Sequence, residues 1–214
     1  MPNTIGEVLQ WAHTLVHNAK NHTSIQAKLD TLGFKPENIT KGESLLVSTE
    51  KLEQEQRTSY EKKLAATDAL LTHLADLKTQ FREHFTLAKL AFADQRPMRK
   101  SLGLDQGKAS RRVEWIKQVT RFYQELVKNP KPMSKYGVSK AKLEQMLASA
   151  QSAMVLLIEQ QQAKGDAQRA TQHKQQSLQD LKKWCRNFQQ IAEVALQDDP
   201  QLLEILGKTV PSGR

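Results

Sequence analysis

Apolar residues recur along most of this chain at intervals of three and four, the spacing that gathers side chains on one face of an α-helix. Val8, Trp11, Leu15, Ile25, Leu29 and Leu32 supply such a face from about Thr4 toward Leu32, with a less regular stretch from Asn18 to Thr23 where a break is allowed. Gly33 and Pro36 provide a stop, because glycine tolerates the left-handed backbone after a last turn and proline has no amide hydrogen to donate. Thr40 and Glu43 have the spacing of a capping box, so the next helix is expected to open at Thr40 or Lys41. Its seam runs through Leu45, Leu52, Tyr60, Leu64, Leu70, Leu74, Leu77, Phe81, Phe85 and Phe92 to about Asp94, with several four-residue steps in place of a strict heptad. Fifty or more residues at a rise of about 1.5 Å make a rod of roughly 80 Å, and such a rod needs a partner along its seam.

The second half repeats the first at a displacement of 104 residues. Trp11 falls on Trp115, Leu15 on Val119, Leu74 on Leu178, Asp76 on Asp180, Leu77 on Leu181, Lys78 on Lys182, Leu102 on Leu206 and Gly103 on Gly207. Between these anchors the displacement slips to 101 at Leu45-Leu46 and Met146-Leu147. The second copy offers a helix over 108–128, ended by Pro130 and Pro132, and a long helix capped by Ser139 that reaches Asp198, with Gly165 as a point of local break or of simple helix weakening. Each copy closes on a short helix ending at a Leu-Gly pair, Leu102-Gly103 and Leu206-Gly207. The expected fold is therefore all-α: a duplicated, coiled-coil-like long-helix bundle with short terminal cap helices. Residues 1–104 and 105–214 are the two repeats, packed together as one pseudo-two-fold bundle.

Composition agrees with that class. Gln, Lys, Glu, Ala and Leu lose little rotamer freedom in a helix, whereas β-branched runs are scarce and only nine glycines and seven prolines interrupt 214 residues. The lone cysteine, Cys185, excludes an intrachain disulfide and reads as a small core residue, which favours a reducing, cytoplasmic setting. No apolar run approaches the roughly 20 residues of a membrane span, and the N-terminus lacks the basic segment and apolar core of a signal peptide.

Candidate chemistry narrows the function classes further. His13 and His17 share a helix face, but His22 is off that register and no cysteine cluster completes a metal site. Glu50, Glu53 and Glu61 meet Gln160, Gln161 and Gln162 in the comparable interval of the second copy, without the Glu-x-x-His motifs of a duplicated di-iron bundle. Phosphate-binding glycine loops and nucleophile elbows are absent from the sequence. The expectation is a protein without catalysis, cofactor or metal.

Charge is the informative remainder. From Arg96 through Lys142 there are 13 Lys and Arg against three Asp and Glu, a surplus of ten in a chain whose formal net charge is +9. Arg96, Arg99, Lys100, Lys108, Arg111 and Arg112 fall where one copy ends and the next begins, and are the candidate contacts for an anionic partner. The leading expectation is a scaffolding or assembly module for a protein partner of acidic character, with a homodimer as a further way to cover the seams. The alternative is an accessory protein that binds nucleic acid or another polyanion through the same surface.

Overall fold

A computed structural model describes residues 4–208, and these form eight α-helices and no strand. The helices are α1 (Ile5–Asn21), α2 (Thr23–Thr31), α3 (Pro36–Ala91), α4 (Arg96–Leu102), α5 (Arg112–Lys128), α6 (Lys131–Ser134), α7 (Lys140–Ala195) and α8 (Pro200–Ile205). The long helices α3 and α7, 56 residues each, pack together. Among the described residues no helix is long and apolar enough to cross a membrane.

Local chemistry accounts for most of the boundaries. Thr4 caps α1: its hydroxyl accepts from the Glu7 amide at 3.2 Å while the Glu7 carboxylate accepts from the Thr4 amide at 3.0 Å. The irregular stretch after Asn18 breaks at His22, whose backbone is extended between α1 and α2. The long helix α3 begins four residues before the expected Thr40, because Pro36 sits in its first turn where a missing amide hydrogen costs nothing. Thr40 is inside the helix and donates back to the Pro36 carbonyl, and Glu43 takes Lys20 at 2.9 Å. No capping box forms there. At the other rod, the Ser139 hydroxyl accepts from the Lys142 amide at 3.2 Å, as a cap of α7 should, and α7 runs unbroken past Gly165. Both short helices end as read: Gly103 and Gly207 adopt φ of +66° and +82°, which a side chain would strain.

The chain divides into two compact units, each drawn from both halves of the sequence. Unit 1 comprises residues up to 59 and from 167 onward. Its core takes Val8, Leu15 and Ala19 from α1, Ile25 and Leu29 from α2, Leu46 from α3, Leu181, Cys185 and Phe188 from α7, and Leu203 from α8. Within this unit α3 and the end of α7 run antiparallel, with Trp184 Nε1 donating to the Asn38 carbonyl at 3.1 Å and the Thr49 and Ser177 hydroxyls 2.8 Å apart. Trp184 stacks on Phe188 with centroids 5.2 Å apart and lies against Gly42, where an added Cβ would come within 2.1 Å of the indole.

Unit 2, residues 60–166, packs α5 against the end of α3 and the start of α7. Trp115, Ile116, Val119, Phe122, Tyr123 and Leu126 form the buried face of α5, meeting Leu70, Leu74 and Leu77 of α3, Phe92 in the turn that follows it, and Leu143, Met146 and Leu157 of α7. Here too the rods are antiparallel, His73 Nε2 reaching the Ser149 carbonyl at 2.8 Å. Two residues of the expected seam, Tyr60 and Leu64, are 46% and 45% exposed, so the buried face of α3 in this unit begins only at Leu70.

Candidate functional site

The six basic residues singled out by sequence all belong to unit 2, on α4, on the loop that follows it, and at the start of α5. Helix α4 packs on α5, which holds this region together. Arg99 is partly buried and ion-paired with Asp105. Arg96, Lys100, Arg111 and Arg112 are exposed. Lys108 differs from the other five, because its ammonium sits 5.9 Å from the centre of the Trp115 ring.

That position is fixed by Gln118 on α5. Its side-chain amide donates to the Gly107 carbonyl at 3.2 Å and its side-chain oxygen accepts from the Ala109 amide at 3.1 Å. Both ends of one glutamine thus clamp the backbone on either side of Lys108. Helix α3 contributes Lys78, 5.8 Å from the same ring, and Arg82 one turn further on. The two ammonium groups lie at the range where a cation is still drawn to an indole face, on the order of 0.5–1 kcal/mol each at an exposed site.

Between these cations is a groove of about 270 Å³ with Phe81, Phe85 and Trp115 as its floor. Phe81 meets Trp115 edge-on at 6.1 Å and Phe122 at 5.1 Å, so the floor is the outer layer of the unit's aromatic interior. No carboxylate lines the groove. Among the described residues Lys78, Arg82 and Lys108 form no ion pair, so the charge of all three is uncompensated locally. The long-range field has the same sign: residues 60–166 hold 19 Lys and Arg against 11 Asp and Glu, a net +8, and the rest of the chain holds 13 against 12, a net +1. Lys78 and Arg82 were not among the candidates read from the sequence. Only their spacing of four on the face that also carries Phe81 and Phe85 hinted at them.

Unit 1 has a groove at corresponding positions. Trp11, Thr14, Arg186 and Gln189 line it, and each stands 104 residues from Trp115, Gln118, Arg82 and Phe85, which line the groove of unit 2. It is wider, about 730 Å³, it includes Glu7, and it places Gln189 where unit 2 has a phenylalanine.

Elsewhere, His13 Nε2 lies 2.7 Å from the Glu50 carboxylate on the surface, while His17 faces Asn21 of its own helix. Among the described residues no group of three or more His, Cys, Asp or Glu is placed to hold a metal ion. Cys185 is buried, and desolvation raises its thiol to about 12, so it stays protonated and poorly nucleophilic near neutrality. His84 is buried with its Nδ1 3.0 Å from the Tyr123 hydroxyl. Burial lowers the His84 pKa and raises that of Tyr123, so both are neutral and the pair is a satisfied interior hydrogen bond.

Comparison with family models, curated proteins and solved structures found no match for this chain.

Proposed function

We propose that the protein is a non-catalytic scaffolding module of the cytoplasm, built from two copies of one helical unit (1–104 and 105–214), that engages an acidic protein partner through the basic surface of unit 2. The observation that carries this reading is the groove of Lys78, Arg82 and Lys108 over an aromatic floor, free of carboxylates, on a unit with a net charge of +8. Such a concentration of one sign steers an oppositely charged partner toward one face, and an apolar floor adds a contact that survives when salt screens the charges. The duplication reading is supported by the 104-residue displacement that relates the lining of the two grooves.

The alternative, binding to nucleic acid, draws on the same charge. It is less well served by the floor: Trp115 is only 4% exposed and already flanked by two ammonium groups, whereas a base-stacking platform needs an open ring face. The test is purification from the native source with and without nuclease, followed by mass spectrometry, alongside binding of the protein to RNA and DNA across a range of salt. A protein that stays bound after nuclease treatment is the expected result. Replacing the exposed Lys100, Arg111 and Arg112 with Gln should weaken its capture more at low salt than at high salt, with helicity unchanged. Loss of every co-purifying protein on nuclease treatment would overturn the scaffold reading in favour of nucleic acid.

A further inference from the structure

We infer that the groove of unit 2 receives a short acidic segment of a partner chain, with one large apolar side chain seated on the half-buried Phe81 and Phe85, beside the covered Trp115, and carboxylates on either side of it paired with Lys78, Arg82 and Lys108. The inference rests on the scaffold reading and narrows it to a ligand chemistry and a place. Three observations select this occupant. The volume of about 270 Å³ lies below the roughly 300 Å³ at which small-molecule sites begin, and suits a side chain or two better than a whole cofactor. The lining combines apolar rings with cations and has no acid to balance them, so an apolar group alone leaves the charge unanswered and an anion alone leaves the rings in water. The loop that carries Lys108 is clamped by Gln118 before any ligand arrives, so little ordering cost falls on this side of the complex.

Unit 1 supplies an internal control. At the positions 104 residues away, Phe81 becomes Cys185, Phe85 becomes Gln189 and Lys108 becomes Thr4, while Arg82 is kept as Arg186. That groove keeps the arginine, but no lysine and no phenylalanine lines it, although Lys182 stands 104 residues from Lys78, and Glu7 is part of its wall. The segment therefore binds at one site per chain.

The experiment titrates the full chain into a short fluorescein-labelled peptide that has one phenylalanine between aspartates, read by anisotropy, with stoichiometry from calorimetry. Saturable binding at one site per chain is expected. It should weaken by roughly tenfold in a K78Q/K108Q variant, by a similar factor when the peptide's phenylalanine is replaced with alanine, and progressively with salt. R186Q should leave it unchanged, and circular dichroism should show the same helicity in every variant. Equal binding of the wild type and K78Q/K108Q, or equal binding of the phenylalanine and alanine peptides, would overturn the groove assignment. So would a single-stranded DNA probe that binds more tightly than the peptide and loses affinity in the same variant. A groove failure of the first kind, with a nuclease-resistant protein partner still captured by K78Q/K108Q, leaves the scaffold reading standing. Failure of both assays removes it.

Discussion

Where unit 2 has Phe85 on its groove and His84 bonded to Tyr123 inside, unit 1 has Gln189 on its groove, and Phe188 and Ala19 at the two interior positions 104 residues away. The helices around these positions have the same lengths, 17 residues for α1 and α5 and 56 for α3 and α7. Helices of equal length have thus been filled in unlike ways. Unit 1 packs Trp184 onto a glycine and has near-zero net charge, whereas unit 2 clusters five aromatic rings, Phe81, Phe85, Trp115, Phe122 and Tyr123, and carries a net charge of +8. A helical framework fixes where side chains go, and the side chains then decide which of two similar grooves can hold a partner.

The most forceful way to break this contrast is to empty the aromatic interior of unit 2. Phe122 is 1% exposed and touches Phe81, Phe85 and Tyr123 with centroids 5.1 to 5.7 Å away, so Phe122→Ala should cost about 4 kcal/mol of stability in urea unfolding. Hydrogen exchange should then rise first in α5 and around Leu70–Phe92, with α1 still protected. A loss below about 1 kcal/mol would mean the ring cluster does not organise the unit.

In unit 1 the corresponding weak point is a glycine. Gly42→Ala places a methyl group 2.1 Å from an indole that also stacks on Phe188 and bonds the Asn38 carbonyl, so Trp184 must leave its seat. Destabilisation of about 2–3 kcal/mol is expected, with a change in the near-ultraviolet circular dichroism of tryptophan. An unchanged spectrum and stability would show that the indole has room to yield.

The smallest effect sharpens the contrast between the polar pair of unit 2 and the apolar residues that replace it in unit 1. Burial holds His84 below its ordinary 6.5, and Lys142 lowers it further while Glu83 partly offsets both. The unfolded chain therefore takes up a proton as pH falls past 6.5 and the folded chain does so only at lower pH. The stability associated with His84 is fully present above pH 6.5 and is lost as pH falls through the folded value. Urea midpoints measured from pH 8 downward should show that decline in the wild type and less of it in a His84→Phe/Tyr123→Phe double variant. Parallel curves for the two proteins would remove His84 as its source.

Much of the fold was legible because helix periodicity depends on near neighbours in sequence. Leu70, Leu74 and Leu77 are buried where their spacing put them, Ser139 caps α7, and the Leu-Gly pairs close α4 and α8. The start of α3 was misplaced because two plausible signals competed: Pro36 in the first turn won over Thr40 with Glu43, since Glu43 is drawn to Lys20 across helices. The exposure of Tyr60 and Leu64 was also hidden, because a seam read from one helix does not reveal where its partner helix covers it.

By itself the sequence determined the longer helices, with several ends placed a few residues off and the short α6 not read, the concentration of positive charge after Arg96 and the absence of any intrachain disulfide, all of which follow from local spacing or composition. Tertiary structure decided which cations act together. Lys108 was among the expected contacts, but Lys78 and Arg82 lie about thirty residues earlier and reach it only because α3 packs on α5. The same packing spends Arg99 on Asp105 and sets Phe81, Phe85 and Trp115 side by side. Charge along a chain adds up wherever it lies, whereas a groove needs groups to meet within a few ångströms, and that meeting is a property of the fold.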